Sequence, residues 1–371
     1  MNDLNTFKQT TMVASKLEEI LIIKNRHERD KNISFQEEGH KYTIHTDLES
    51  KYTSVTTWNH HHFPKFDADA IIKKMMKGKN WNPENKYWGM SAEQIKKMWS
   101  DNGTSVSGAG TDMHYEIECF MNHPDLESYT HLDLLNEYKK ERDTCEQLVE
   151  ARNSPEWEYF MKFVEENPEL KPYRTEWTVY DDDLKLSGSI DMVYENPDGS
   201  LMIYDWKRSK EISRINKFDK YAETYCISHL PDSNFWHYSL QLNTYKAILE
   251  RKYGKRVTTL KLVRLHPNCK EDNEDTYELI DVPILTKEID ELFNLRKEEL
   301  DSEKLDASEE DSVESDDGVI YNVYKCYKCG YATTNDHPDC KKCGKSNSML
   351  LKQVPMSILK NLLTNNLNLT K

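Results

Sequence analysis

The stretch LSGSIDMVYENPDGSLMIYDWKRSK, residues 186–210, constrains the fold more than any other part of the chain. NPDG is a tight-turn sequence, and the runs on either side carry the apolar and aromatic residues that strands favour, so the pair reads as a β-hairpin. The turn sets the register. Asp191 lies five residues before Asn196 and Asp205 six after Gly199, which brings the two carboxylates nearly opposite one another. Side chains alternate along a strand, so Asp205 and Lys207 share one face and Trp206 takes the other. Ile190, Met192, Val193, Met202, Ile203 and Trp206 are apolar enough to be core. Two acids and a lysine among such neighbours are costly unless they are paired or hold a metal.

Around this hairpin the chain alternates helical and strand-like patterns. Helices are expected over 16–29, after Asp67, after Ser91 (with Gln94 placed for a capping box), across 105–121, over 131–150 and over 155–166, the last opened by Pro155. HKYTIH and KYTSVTTW alternate like a hairpin. Strands are expected at PYRTEWTVY, in the two arms of 186–210, at VTTLKLVRLH and near TYELIDV, with helices over 235–253 and 286–300. That order belongs to an α/β domain with a mixed sheet flanked by helices. The expected organisation is an N-terminal helical and hairpin region (1–104) packed on a core domain (105–300). An acidic, disordered linker (301–318) and a cysteine-rich module with a tail helix around 355–366 (319–371) follow.

Mg²⁺ or Mn²⁺, which prefer hard anionic ligands, suit the oxygens of Asp191 and Asp205. Such a cation activates water and neutralises the charge that builds as a phosphodiester is hydrolysed. A nearby lysine can orient the water or share in that neutralisation. The plain alternative for Asp205 and Lys207 is an ion pair at a strand end; the second aspartate across the hairpin favours the metal site. In GAGTDMHYEIECF, His114 and Glu118 are four apart on a helix and share a face, where they could complete the metal's ligands. Gln241 and Tyr245 share a helical face in the same way. Each of these pairs is ordinary when taken alone.

Taken in order, these residues resemble the RecB-like and viral exonuclease branch of the PD-(D/E)XK nucleases, which takes in phage exonucleases and mitochondrial genome maintenance exonucleases. The residues that carry the likeness are Gly110-Thr111 with His114 and Glu118, Glu176 on a strand, Gly188 with Asp191, Asp205 with Lys207, and Gln241 with Tyr245. They fall within 40–265, and YTSVTTW upstream adds to them. The resemblance implies a restriction-endonuclease-like α/β fold and a metal-dependent DNA nuclease, without fixing exo- or endonuclease action; the leading reading is an exonuclease serving replication, recombination or repair. It implies Asp191, Asp205, His114 and Glu118 as ligands of Mg²⁺ or Mn²⁺ and Lys207 as the catalytic lysine. Gln241 and Tyr245 would organise the site or the DNA backbone. The alternatives are a structure-selective or RNA-directed endonuclease, and a zinc-ribbon adaptor on an inactive nuclease scaffold.

The segment YKCYKCGYATTNDHPDCKKCG places Cys326, Cys329, Cys340 and Cys343 as CxxC-x10-CxxC. Two such knuckles make a Zn²⁺ site of the ribbon type. A segment this short has no core of its own, so the metal would supply its folding energy. Cys119, Cys145, Cys226 and Cys269 show no close spacing, which argues against an iron–sulfur arrangement. Lysines in the ribbon could touch nucleic acid, and a replication or recombination protein is the other partner such a ribbon would take.

Net charge is -15, unusual for a protein that handles DNA, so its distribution matters. Residues 301–317 hold nine acids and one Lys, and 318–371 hold eight Lys and two Asp. The body itself is therefore acidic, and any DNA track is a local patch: Lys73, Lys74, Lys77 and Lys79, or the KRSK run at 207–210. No apolar run approaches the roughly 20 residues of a membrane span. The N-terminus lacks the order of a secretory signal or transit peptide, so a cytoplasmic or nuclear setting is expected. Lys outnumbers Arg 39 to 11, a bias that suits an AT-rich genome such as that of a large DNA virus.

Overall fold

The computed structural model describes residues 20–123, 129–144, 154–269, 276–310, 320–326, 331–334, 338–344, 346 and 349–355. The chain forms two compact units, Met1–Lys297 and Glu298–Lys371. Among the described residues no helix is long and apolar enough to cross a membrane.

From Ile20 on, the described part of the first unit begins with helix α1 (Ile20–Lys24) and an antiparallel hairpin, β1 (Ile33–Gln36) with β2 (Lys41–Ile44). HKYTIH is thus one arm of a hairpin, but its partner lies upstream. KYTSVTTW becomes instead a two-residue strand, β3 (Thr53–Ser54), and helix α2 (Val55–His60). The Ser54 hydroxyl accepts the Thr57 N–H at 3.2 Å, a cap that starts the helix where alternation alone suggests more strand. Helix α3 (Ala68–Met76) is capped by Asp67, and α4 (Ala92–Met121) by the full capping box of Ser91 and Gln94. α4 runs through the glycines at 103, 108 and 110 without a break, so the helices expected after 91 and across 105–121 are one. The expected boundary at 104/105 falls inside it.

Helices α5 (His131–Thr144) and α6 (Pro155–Glu166) lead into the central sheet. Its strands are β4 (Lys171–Asp181), β5 (Leu186–Glu195), β6 (Leu201–Lys207), β7 (Val257–Arg264) and β8 (Glu278–Asp281), with β3 completing six. β4–β5, β5–β6 and β7–β8 pair antiparallel; β3–β5 and β6–β7 pair parallel. Helix α7 (Asn234–Lys252) connects β6 to β7, as a parallel pair requires. The result is the mixed sheet flanked by helices that the sequence pattern implies.

Apolar side chains bury both faces of the sheet. On one, Trp58, Phe235, Leu242, Ile248 and Phe293 pack on Leu186, Val193, Ile203 and Leu260. On the other, Phe120, Trp157, Phe160 and Phe163 pack on Met192, Tyr204, Trp206 and Val263.

Helix α8 (Thr286–Glu310) continues ten residues into the stretch whose composition suggests a linker from 301. In the second unit β9 (Ile320–Cys326) is the middle strand of an antiparallel sheet with β10 (Ala332–Thr333) and β11 (Met349–Pro355). Cys145, Cys329, the acidic residues past Glu310 and the tail helix expected beyond Pro355 lie outside the described residues.

Candidate active site and cysteine cluster

The NPDG turn is closed by Gly199 N–H to the Asn196 carbonyl at 2.9 Å and pairs Met192 with Tyr204. One further step along that register sets Asp191 opposite Asp205, and the Trp206 N–H donates to Asp191 Oδ2 at 3.1 Å. β4 extends the row. It pairs Thr175 with Met192 and Trp177 with Ile190, so Glu176 stands opposite Asp191. Three carboxylates, Glu176, Asp191 and Asp205, therefore lie in line across three adjacent strands.

The backbone is irregular at this line. Glu176 has φ +40, a left-handed conformation that costs a non-glycine residue about 1–3 kcal/mol. Alternation slips one step there. Trp177 belongs to the core beneath α7, yet Thr175, of the same parity, accepts from Asn122 at the C-terminal end of α4 on the other side. Ile190 and Met192 of β5 likewise fall in opposite cores. The slip turns Glu176 toward the acid beside it, and its Oε2 accepts the Ser189 hydroxyl at 2.9 Å.

His114 comes from α4. Its Nε2 lies 3.1 Å from the Trp206 carbonyl, an oxygen that can only accept, so Nε2 carries a proton. That leaves Nδ1 facing Glu176 Oε1 at 3.4 Å and Asp191 Oδ2 at 3.7 Å. A metal-binding histidine is commonly fixed in this way, by a carbonyl on its far nitrogen. Burial works against charge on this imidazole, but Asp191 and Glu176 outweigh it and hold the pKa up at about 9. His114, Glu176 and Asp191 offer ligand atoms that all lie within 4.8 Å of one another, as a single cation requires. Glu118, one turn on from His114, and Asp205 lie outside this three-residue group, which Glu176 joins from the strand.

Asp205 is 2% exposed and forms an ion pair with Lys207. Burial and the Asp191 charge push its pKa up, with Lys207 and His114 pulling back. Burial opposes the charge on Lys207, and Asp205 and Asp191 more than restore it. Lys207 Nζ also sits 4.7 Å from the centre of the Tyr238 ring, a contact that neither spacing nor composition signals. A nest of acids with too little positive charge is the electrostatic condition that a divalent cation relieves.

α7 supplies the wall opposite. Gln241 lines a cleft of about 450 Å³ beside Lys207, with Thr56, Asn59, His60, Asn234, His237 and Tyr238. The residues from α2 reach this cleft because the Ser54 cap turns YTSVTTW into a helix. Tyr245, one turn beyond Gln241, is buried. It occupies the notch left by Gly188, where β5 has no strand on its β6 side. A Cβ on Gly188 would come within 2.7 Å of the Tyr245 hydroxyl oxygen and 2.8 Å of ring carbon Cε1. Gly188→Ala is therefore expected to cost about 1–3 kcal/mol in a urea titration, and Tyr245→Phe should not relieve it, because the ring carbon clashes as well.

Of the basic runs, KRSK is not a free patch. Lys207 turns inward to Asp205, and Arg208 pairs with buried Glu156 at 2.7 Å. Lys73, Lys74, Lys77 and Lys79 are all exposed.

In the second unit Cys326, Cys340 and Cys343 bring their sulfurs within 4.8 Å of one another. Cys326 and Cys343 are 3.8 Å apart. Thiolates on a tetrahedral zinc, with bonds of about 2.3 Å, stand about 3.8 Å apart. The knuckle around Cys340 closes through Gly344 N–H to the Cys340 carbonyl at 2.8 Å, with Gly344 at φ +67, a conformation glycine adopts without strain. The three described cysteines thus fit the zinc expected from the sequence.

A family model described as the PD-(D/E)XK nuclease superfamily matches residues 94–343, about two thirds of the chain, from α4 through the last described cysteine. Among curated proteins nothing matches.

Proposed function

The chain belongs to the PD-(D/E)XK nuclease superfamily, and on that premise we propose that it is a metal-dependent deoxyribonuclease acting at DNA ends, an exonuclease of replication, recombination or repair. The observation that carries the reading is the row Glu176, Asp191, Asp205 across three strands, with Lys207 two residues beyond the last acid. Nucleases of this superfamily use divalent metals, and Mg²⁺ or Mn²⁺ here would activate the attacking water and offset charge on the scissile phosphate.

The chain's own residues have distinct parts in this scheme. Asp191, Glu176 and His114 would hold the cation, with Asp205 across the hairpin and Glu118 one turn on from His114 as further ligands. Lys207, kept charged by the acids around it, faces the cleft and stabilises the developing negative charge. Gln241 presents an amide to the same cleft, while buried Tyr245 positions α7 against β5. Zn²⁺ belongs to the second unit, where Cys326, Cys340 and Cys343, with Cys329, would hold it for structure.

Purified protein incubated with end-labelled single- and double-stranded DNA in Mg²⁺, Mn²⁺ or EDTA tests the reading. Stepwise shortening that EDTA abolishes is the expected result; no metal-dependent cleavage of either substrate sinks it. Within that assay, His114→Ala and Glu176→Gln are each expected to raise the Mg²⁺ concentration for half activity by about tenfold, with Mn²⁺ giving partial rescue. Glu118→Gln should shift it less. An unchanged metal dependence in both His114→Ala and Glu176→Gln would return them to structural roles.

A further inference from the structure

We infer that the arm formed by residues 65–67, α3, the loop 77–91 and the start of α4 is a track for a single, unpaired nucleic-acid strand, leading it to the metal site. The inference rests on the deoxyribonuclease reading and names the form of substrate the site receives.

In a chain of net charge -15, residues 65–97 hold eight lysines against four acids. Lys65, Lys73, Lys74, Lys77, Lys79 and Lys97 are exposed, and no ion pair involving any of them is found among the described residues. Interleaved with them are aromatic rings that a folded protein normally covers. Phe66 is 73% exposed and Trp88 is 47% exposed. The rings are organised. Trp88 lies 5.6 Å from Trp81, and Phe66 lies 6.1 Å from Trp99, which in turn donates its indole N–H to the Tyr87 hydroxyl at 2.9 Å. Asparagines hold the loop that carries them: Asn82 Oδ1 accepts the Glu84 N–H, Asn85 Oδ1 accepts the Tyr87 N–H, and the Asn85 amide donates to the Asn80 carbonyl.

Exposed rings beside free lysines suit one ligand class. Bases stack on the rings whatever their sequence, and the lysines follow the phosphates. In a duplex the bases are already stacked on one another, so the rings would have nothing to bind and only the charge would act. α4 also fixes where the strand leads. Lys97 and Trp99 stand near its start and His114 about four turns on, so arm and metal site are roughly 25 Å apart along the helix. That is about seven nucleotides at the roughly 3.4 Å rise of a stacked strand.

The test uses full-length Lys207→Ala protein, so that bound strands survive, with a fluorescent 20-nucleotide single strand and the blunt duplex of the same sequence. Phe66→Ala with Trp88→Ala should raise Kd for the single strand at least about tenfold and change duplex binding less than twofold. Replacing Lys73, Lys74, Lys77 and Lys79 by Gln should flatten the salt dependence of single-strand binding, by up to about 3 in the log–log slope. Should the alanine pair melt early, Trp88→Phe against Trp88→Leu makes the same comparison, with binding kept by the ring and lost with the aliphatic chain. Unchanged single-strand binding in both sets, or equal losses on strand and duplex, would overturn the inference. These outcomes are separate from catalysis. A wild-type chain that cleaves nothing but binds single strands in this way leaves the track standing and removes the nuclease reading; cleavage indifferent to the arm does the opposite.

Discussion

Asp205→Ala and Lys207→Ala are each expected to slow DNA cleavage at least 100-fold, a loss of about 3 kcal/mol in transition-state stabilisation, while Lys207→Ala protein still binds DNA. The two side chains are one buried unit, on a strand face that Trp206 leaves to them. Removing one partner of a buried pair also strands the other, at a stability cost on the order of 3–5 kcal/mol. The alanine variants therefore need a melting curve beside each rate, and Asp205→Asn and Lys207→Met, closer in shape, separate lost charge from lost packing. All four should lose cleavage; only the alanines should lose much stability. Near wild-type rates in Asp205→Asn or Lys207→Met would place the reacting centre elsewhere, whatever happens to the fold.

How much of this was legible in the sequence depends on how local the cause is. The hairpin was, because NPDG fixes the turn and the turn fixes the register, so Asp191, Asp205 and Lys207 could be set side by side by counting. The Ser91–Gln94 box was, because both of its bonds lie within four residues. α2 was not, since a one-residue cap at Ser54 outweighed an alternating pattern, and with it the cleft wall of Asn59 and His60 went unseen. Glu176 was carried in only by resemblance. Its place depends on its own left-handed backbone, at a point where side-chain alternation slips on two neighbouring strands, and a period-2 pattern cannot show where it breaks. An i, i+4 spacing shows that His114 and Glu118 share a helix face, but that a strand residue, Glu176, comes within reach of His114 is decided by the sheet. Acidic composition likewise read 301 onward as linker, where α8 extends to Glu310 as a continuation of a helix already begun.

Cys340→Ser and Cys326→Ser are each expected to remove stoichiometric zinc from the protein and to unfold the three-stranded sheet of the second unit. Both sulfurs are buried and belong to the three-sulfur group. A sheet of two seven-residue strands and one of two has little apolar area to hold it without the metal. Structural zinc sites supply on the order of 10 kcal/mol, more than so small a module could replace. The proposed catalytic group differs in kind. Its carboxylates and single imidazole favour Mg²⁺ or Mn²⁺ where the thiolates favour Zn²⁺, so loss of zinc should leave Mg²⁺-dependent cleavage within a few-fold of wild type. The family match, which runs on to Cys343, makes this a sharp question, because it takes in the cysteines though not β11. Metal analysis of the purified variants gives the first answer, and hydrogen exchange of residues 320–326 the second. Full zinc content in both variants would show that the cysteines are not its ligands. If zinc and cleavage are lost together while the first unit keeps its melting transition, the module belongs to the catalytic machinery and is not an independent structural appendage.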